Sequence, residues 1–237
     1  MTKMKHYKDQ SALKNQCKHW EDVMQKEKSY LKEIAGKCRE AYKNGVLDTK
    51  VLYDFLVDPH ATKGKDRNPD HGFCSGFLKS KRSGGEKQIC HCMFYYNSDL
   101  PKDCNNCKLP YWKNVGTIPI VEFEFPSKYD IPGIGGIDLV IDYKNEQYGV
   151  EVKPLNSNET LSRMVSEILT YYVVEKLIQF KPAIAVFRGS KQYSTIVEFE
   201  NNKNEDWEEI TRHITVFVID YEEKNGVNEF SIEPFDK

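Results

Sequence analysis

The 237-residue sequence predicts an α/β fold: a mixed β-sheet flanked by helices, with an N-terminal helical region and a small cysteine-rich module. Three observations point there. Apolar residues recur at helical spacing between residues 8 and 43. From Thr117 onward, short alternating or continuous apolar runs read as strands, with one helical pattern among them. Residues 60–116 lie between, rich in Gly, Pro, Asn, Lys and Cys and without sustained periodicity. The expected domains are therefore 1–59, 60–116 and 117–237. A hydrophobic content of 39%, with 12% aromatic, is enough for a core and excludes global disorder.

The elements follow in order. Leu13, Cys17, Trp20, Met24, Leu31, Ile34, Cys38 and Tyr42 mark one long helix or two shorter ones, ending near Asn44-Gly45. A second helix is expected over 49–56, stopped by Asp58-Pro59. Loops held by something other than a core are expected over 60–115. Strands are expected over 118–125, 137–143 and 148–152, then a helix over 159–179. Further strands follow at 183–187 and 214–221, separated by a polar segment with a helical turn at 206–211.

The pair of strands at 137–152 is the most informative part of the chain. If it turns at Lys144-Asn145, residues whose numbers sum to 289 face one another, and Asp138 lies opposite Glu151. Alternation along the second strand points Glu151 and Lys153 to one face and Tyr148, Val150 and Val152 to the other. Carboxylates directly opposite on a sheet sit roughly 5 Å apart at Cβ and repel. A hard divalent cation, Mg²⁺ or Mn²⁺, would convert that repulsion into binding. Lys153, one strand step on, suits orienting an attacking water and offsetting phosphoryl charge, which is equipment for metal-assisted phosphodiester hydrolysis. On the next helix, Leu161, Val165, Ile168 and Tyr172 form an apolar stripe. Arg163, Glu167 and Tyr171 share another face.

Asp138…Glu151-Val152-Lys153 resembles the signature of the PD-(D/E)xK nuclease superfamily, with its restriction-endonuclease-like fold. Gly136-Ile137-Asp138 and the strand Val121-Glu122-Phe123-Glu124-Phe125 are most similar to the RecB-like exonuclease branch. Two positions depart from that branch: Ile137 stands where Pro is usual, and Glu167, four residues before Tyr171, stands where Gln is usual. The resemblance implies Mg²⁺ (or Mn²⁺) held by Asp138, Glu151 and the Val152 carbonyl, with Lys153 as the catalytic lysine. It also implies that Glu167 and Tyr171 support catalysis. Arg163 is the expected phosphate contact, and Glu122 or Glu124 a possible further carboxylate. DNA is the expected substrate, with RNA equally open, and a homodimer would suit cutting of both strands.

Cys90-His91-Cys92 and Cys104-Asn105-Asn106-Cys107 give C-x-C and C-x2-C pairs. Four thiolates in so polar a segment suggest structural Zn²⁺ bound by Cys90, Cys92, Cys104 and Cys107. His71, Cys74 and His91 are spare ligands. Reduced thiols without a metal are the plainer alternative, and an iron–sulfur cluster is less favoured because no cysteine follows Cys107. Lys79, Lys81, Arg82, Lys87 and Lys102, with Phe94, Tyr95, Tyr96, Tyr111 and Trp112, would suit gripping a nucleic-acid backbone and stacking on bases. Packing of those aromatics over a small metal core explains them equally well. Cys17 and Cys38 fall at helical core positions and read as buried thiols.

Charge divides along the chain. Residues 1–120 carry 22 Lys and Arg against 14 Asp and Glu, whereas 121–237 carry 12 against 22. A basic front half suits a polyanion and an acidic back half suits a cation. Solvated helix faces that merely differ would look the same. No apolar run approaches the ~18 residues of a membrane helix. The start, Met1-Thr2-Lys3-Met4-Lys5-His6, lacks the apolar stretch of a secretion signal, so a cytoplasmic protein with reduced or metal-bound cysteines is expected. The second reading of the whole chain is a zinc-containing nucleic-acid-binding protein with an inactive nuclease-like core.

Overall fold

The structure, a computed structural model, describes residues 17–43, 46–56, 86–97, 111–125, 136–174 and 180–236. Helix α1 (Cys17–Ala41) buries Leu31, Ile34, Ala35, Cys38 and Ala41, the helical spacing read from the sequence. A two-residue antiparallel pair, β1 (Tyr42–Lys43) and β2 (Val46–Leu47), turns the chain into α2 (Thr49–Leu56). Asp48 starts α2 by accepting the Lys50 N–H at 2.9 Å, as an N-cap does.

Next come α3 (Glu86–Asn97), β3 (Tyr111–Asn114), β4 (Ile120–Phe125), β5 (Ile137–Tyr143) and β6 (Glu146–Lys153). Helix α4 (Leu161–Val174) leads to β7 (Lys181–Phe187), α5 (Lys191–Asn201), α6 (Glu205–Ile210), β8 (Thr215–Lys224) and β9 (Val227–Pro234). Seven of these strands form one mixed sheet in the order β3-β9-β8-β7-β6-β5-β4. The meander β4-β5-β6 is antiparallel, and β6, β7 and β8 run parallel through helical crossovers. Two buried clusters cover the sheet. One joins α1, α2, α4, α5 and α6 to residues such as Ile184 and Val186, and the other joins α3 to Leu139, Ile141, Val150 and Val152.

Both hairpins are set by paired positive-φ residues. Lys144 (φ 51°) and Asn145 (φ 62°) turn β5 into β6, and Asn225 (φ 53°) with Gly226 (φ 78°) turns β8 into β9. Two consecutive left-handed residues make the tight turn whose twist matches the flanking strands. The β5–β6 register pairs Leu139 with Val150 and Ile141 with Tyr148, so facing residues sum to 289 as read from the sequence.

The middle of the chain departs from the sequence reading. Loops were expected over 60–115, yet α3 is a buried helix and β3 is an edge strand parallel to β9. Met93, Phe94, Tyr95 and Trp112 pack on the sheet, with Trp112 against Phe187, Tyr221 and Phe230. Tyr96 stacks on Tyr111, ring centroids 5.2 Å apart. Asn97 ties the two elements together, donating to the Met93 and Trp112 carbonyls and accepting the Asn114 N–H. Phe94, Tyr95 and Trp112 thus serve the main core, while half-buried Tyr96 and Tyr111 pair with one another. Helix α5 and strand β9 were not anticipated. Among the described residues, no helix is long and apolar enough to cross a membrane.

Candidate metal and catalytic centre

The geometry begins with the pleat. Val150 and Val152 enter the apolar cluster under α3, so alternation sends Glu151 and Lys153 the other way, toward α4. Asp138, near the start of β5, reaches across the ladder and accepts the Val152 N–H at 2.8 Å through Oδ2. Asp138, Glu151 and Lys153 are 8%, 2% and 4% exposed, which makes them buried charges, not ordinary surface ones.

Lys153 is the hub. Its Nζ lies 2.5 Å from Glu151 Oε1, 2.9 Å from Glu86 Oε2, 3.1 Å from Glu167 Oε2 and 3.2 Å from Glu159 Oε2. Only the first two contacts have hydrogen-bond geometry. Arg163 stands behind, with Nη2 2.8 Å from Glu167 Oε1 and Nε 3.3 Å from Glu159 Oε2. Five carboxyl groups thus surround two cations, for a formal balance of −3 when all are ionised.

The titration behaviour follows from that crowding. Burial pushes Asp138 well above the ordinary carboxyl range and Glu86 pushes it further, against Lys153 and the Val152 N–H. Burial and then Asp138 do the same to Glu151. Glu86 is raised mainly by burial. Glu167 is lowered: burial opposes ionisation, but the Lys153 and Arg163 charges outweigh it. Burial alone would lower Lys153, yet Glu151, Glu167, Asp138 and Glu86 hold it above the usual lysine range, so it stays an ammonium. Tyr171, 8% exposed, is raised by burial and by Glu151 and Glu167, which keeps its phenol neutral beside the cluster.

The fit to a cation can be tested on these atoms. Glu86, Asp138 and Glu151 each bring a carboxylate oxygen within 4.8 Å of the others, the one such group of His, Cys, Asp or Glu among the described residues. Glu151 Oε2 is buried and has no hydrogen-bond partner. Oxygen donors, excess negative charge and an unpartnered buried acceptor together suit a hard divalent ion.

The structure brings Asp138, Glu151, Lys153, Glu167 and Tyr171 into one place. Val152 joins them through its N–H. Arg163 is there as well, but paired with two carboxylates. Glu86 was missed, because it opens α3 in a segment read as loop. Its only sequence signal is an acidic residue heading an apolar stretch. Glu159 was missed too; it lies between Lys153 and α4, with its carbonyl accepting from Gln192 Nε2 at 2.5 Å.

The cysteine pairs fare differently. Cys90 and Cys92 are two residues apart on α3, so their side chains leave the helix about 200° apart. Cys90 is 1% exposed in the core, its thiol raised by burial and by Asp138 and Glu86. His91 is buried and packs on Tyr95 and Phe123. This corrects the picture of a C-x-C claw on a loop. Cys104, Cys107, His71, Cys74, Lys79, Lys81, Arg82 and Lys102 lie outside the described residues, as do the side chains of Cys17, Lys87 and Glu124. Cys38 is a buried thiol, pushed up to about 12 chiefly by burial. Glu122 bonds to the backbone of its own strand, its Oε1 accepting the Phe123 N–H. Comparison of the chain with family models, with curated proteins and with solved structures returned no match.

Proposed function

We propose that this chain is a Mg²⁺-dependent nuclease that hydrolyses phosphodiester bonds, with DNA as its substrate. The observation that carries the reading is the group of buried Asp138 and Glu151 with half-buried Glu86, Lys153 in its midst, at the end of a β5–β6 hairpin. The resemblance of Asp138…Glu151-Val152-Lys153 to the PD-(D/E)xK nucleases agrees with that geometry. So does the order of an antiparallel meander, a helix and a parallel strand. Asp138, Glu151 and Glu86 would hold the ion, which supplies Lewis-acid polarisation of the scissile phosphate and lowers the pKa of a bound water. Lys153, kept protonated, offers its N–H groups to orient the attacking water and to offset charge developing on the phosphoryl oxygens. Tyr171 remains a neutral hydroxyl, and Glu167 holds the lysine from the α4 side.

Linear, circular and single-stranded DNA, and RNA, incubated with Mg²⁺ test the reading. Cutting with Mg²⁺ and none in EDTA is expected. Lys153→Ala should lose at least about a hundredfold in rate while keeping its circular dichroism spectrum. Undiminished cutting by that variant would remove Lys153 from the mechanism. Salt-dependent DNA binding without any divalent-dependent cutting would instead mark the core as a binding module.

A further inference from the structure

The Lys153 ammonium lies between two sets of carboxylates. On one side it donates to Glu151 and Glu86, two of the three groups suited to the ion. On the other side Glu159 Oε2 and Glu167 Oε2 lie at ion-pair distance, 3.2 and 3.1 Å, buried and without a hydrogen-bond partner. Both are anchored independently of the lysine. Arg163 holds Glu167 by its other oxygen and lies 3.3 Å from Glu159 Oε2, and Gln192 on α5 holds the Glu159 backbone.

A divalent ion held by Glu151 and Glu86 would repel the ammonium that lies 2.5 and 2.9 Å from oxygens of the same two carboxylates. The lysine therefore has to leave those oxygens when an ion enters. Among the described residues, the other carboxylates already at ion-pair distance from its Nζ are those of Glu159 and Glu167, and a small reorientation would turn two poorly angled contacts into charge-assisted hydrogen bonds.

Resting on the metal-centre reading above, we propose that Glu159 is a positioning residue: it receives Lys153 when the divalent ion loads, so that ion binding and placement of the lysine are one event. In the ion-free protein the ammonium is the internal counterion of the Asp138–Glu151–Glu86 group. In the loaded protein it rests on Glu159 and Glu167, still beside the site. Glu159 touches neither the ion nor the substrate.

Calorimetric titration of the full chain with Mg²⁺ tests this without any substrate. Removing the competitor in Lys153→Met should tighten Mg²⁺ binding by about tenfold. Removing the receiving carboxylate in Glu159→Gln should weaken it by about tenfold, since the lysine then clings to Glu151 and Glu86. The decisive measurement is the double variant. With no lysine to receive, Glu159→Gln should have no effect in the Lys153→Met background. An equal weakening in both backgrounds would overturn the proposal, because Glu159 would then act on the ion through its charge alone. Glu159→Asp, which keeps the charge, should recover most of the wild-type affinity; failure to do so overturns it too. Should Glu159→Gln not fold, Glu159→Ala serves in the same cycle. A wild-type chain that binds no Mg²⁺, or binds it unaltered in Asp138→Asn, would overturn the metal centre itself. Intact binding with additive Glu159 and Lys153 effects would remove only the lysine transfer.

Discussion

Two of the regions of this protein that bury carboxylates solve the problem in opposite ways. Glu27 on α1 is 3% exposed and accepts the Ser162 N–H at 2.5 Å, in the first turn of α4. A helix N-terminus presents N–H groups and a positive dipole end, so one carboxylate there matches its surroundings. Lys191 adds a cation across a small polar cavity that Gln192 and Thr195 also line. Around Lys153, by contrast, carboxylates face carboxylates, and one buried oxygen of Glu151 has no hydrogen-bond partner. The difference teaches how to read buried charge. Where donors match acceptors, the group holds elements together. Where acceptors outnumber donors, the surplus charge would suit a cation and costs stability while it is unmatched.

The largest effect is expected from neutralising Glu151, in the carboxylate-rich region. Glu151→Gln should reduce cutting at least about a hundredfold while raising the melting temperature of the metal-free protein, because it removes repulsion from a group already pushed toward its neutral form. A lowered melting temperature would mean that Glu151 is needed as the partner of Lys153. Mg²⁺ should stabilise the wild type by about 2.7 kcal/mol at a hundred times its dissociation constant and leave Glu151→Gln nearly unmoved.

A smaller and opposite effect is expected at Glu27. Glu27→Ala leaves the Ser162 N–H without its acceptor and should cost about 1–2 kcal/mol. In a domain of this size that is a drop of a few degrees in melting temperature. Cutting below that temperature should be unchanged, and Mg²⁺ should stabilise variant and wild type equally. A variant that melts normally yet binds Mg²⁺ poorly would dissolve the distinction between the two regions.

One side of this contrast, the group around Lys153, was largely legible in the sequence, and the gaps have physical causes. The β5–β6 register followed from alternation and a turn position, because a slip by one residue would reverse every side chain. That placed Asp138, Glu151 and Lys153 together. Glu86 and Glu159 approach the site from α3 and from the crossover after β6, and tertiary approach leaves no periodic trace. Helix α3 was hidden because its cysteines and histidine read as metal ligands in a loop, whereas Cys90 and His91 are buried on a helix. Strand β9 was missed although Asn225-Gly226 is a strong hairpin signal; the alternation after it, with Asn228, Phe230 and Ile232 buried, is interrupted by a polar member. Helix α5, capped by Ser190 accepting the Tyr193 N–H, has a largely polar sequence whose buried face includes Gln192 and Thr195.

The smallest effect is a pH slope, and it sharpens the comparison by separating the two regions in one titration. Asp138, Glu151, Glu86 and Glu27 are all raised above ordinary carboxyl values, with burial as the largest cause in each. A raised carboxyl stabilises the fold fully below its unfolded value, near 3.8 to 4.5 here, and that stabilisation is lost as pH rises through the folded value. Glu167, which is lowered, has the opposite sign and loses its contribution only on acidification through its folded value; Lys153, which is raised, contributes fully below 10.5. Between about pH 5 and pH 8 the raised carboxyls therefore dominate, and the metal-free protein should melt at progressively lower temperature. Saturating Mg²⁺ should remove the share that belongs to Asp138, Glu151 and Glu86, since an ion stabilises their charged forms, and leave the share of Glu27 untouched. Glu27→Gln should do the reverse, flattening only the part that Mg²⁺ does not. If Mg²⁺ abolished the whole slope, Glu27 would belong electrostatically to the same site as Lys153, and a single acidic network would run from α1 through Glu159 to the catalytic centre.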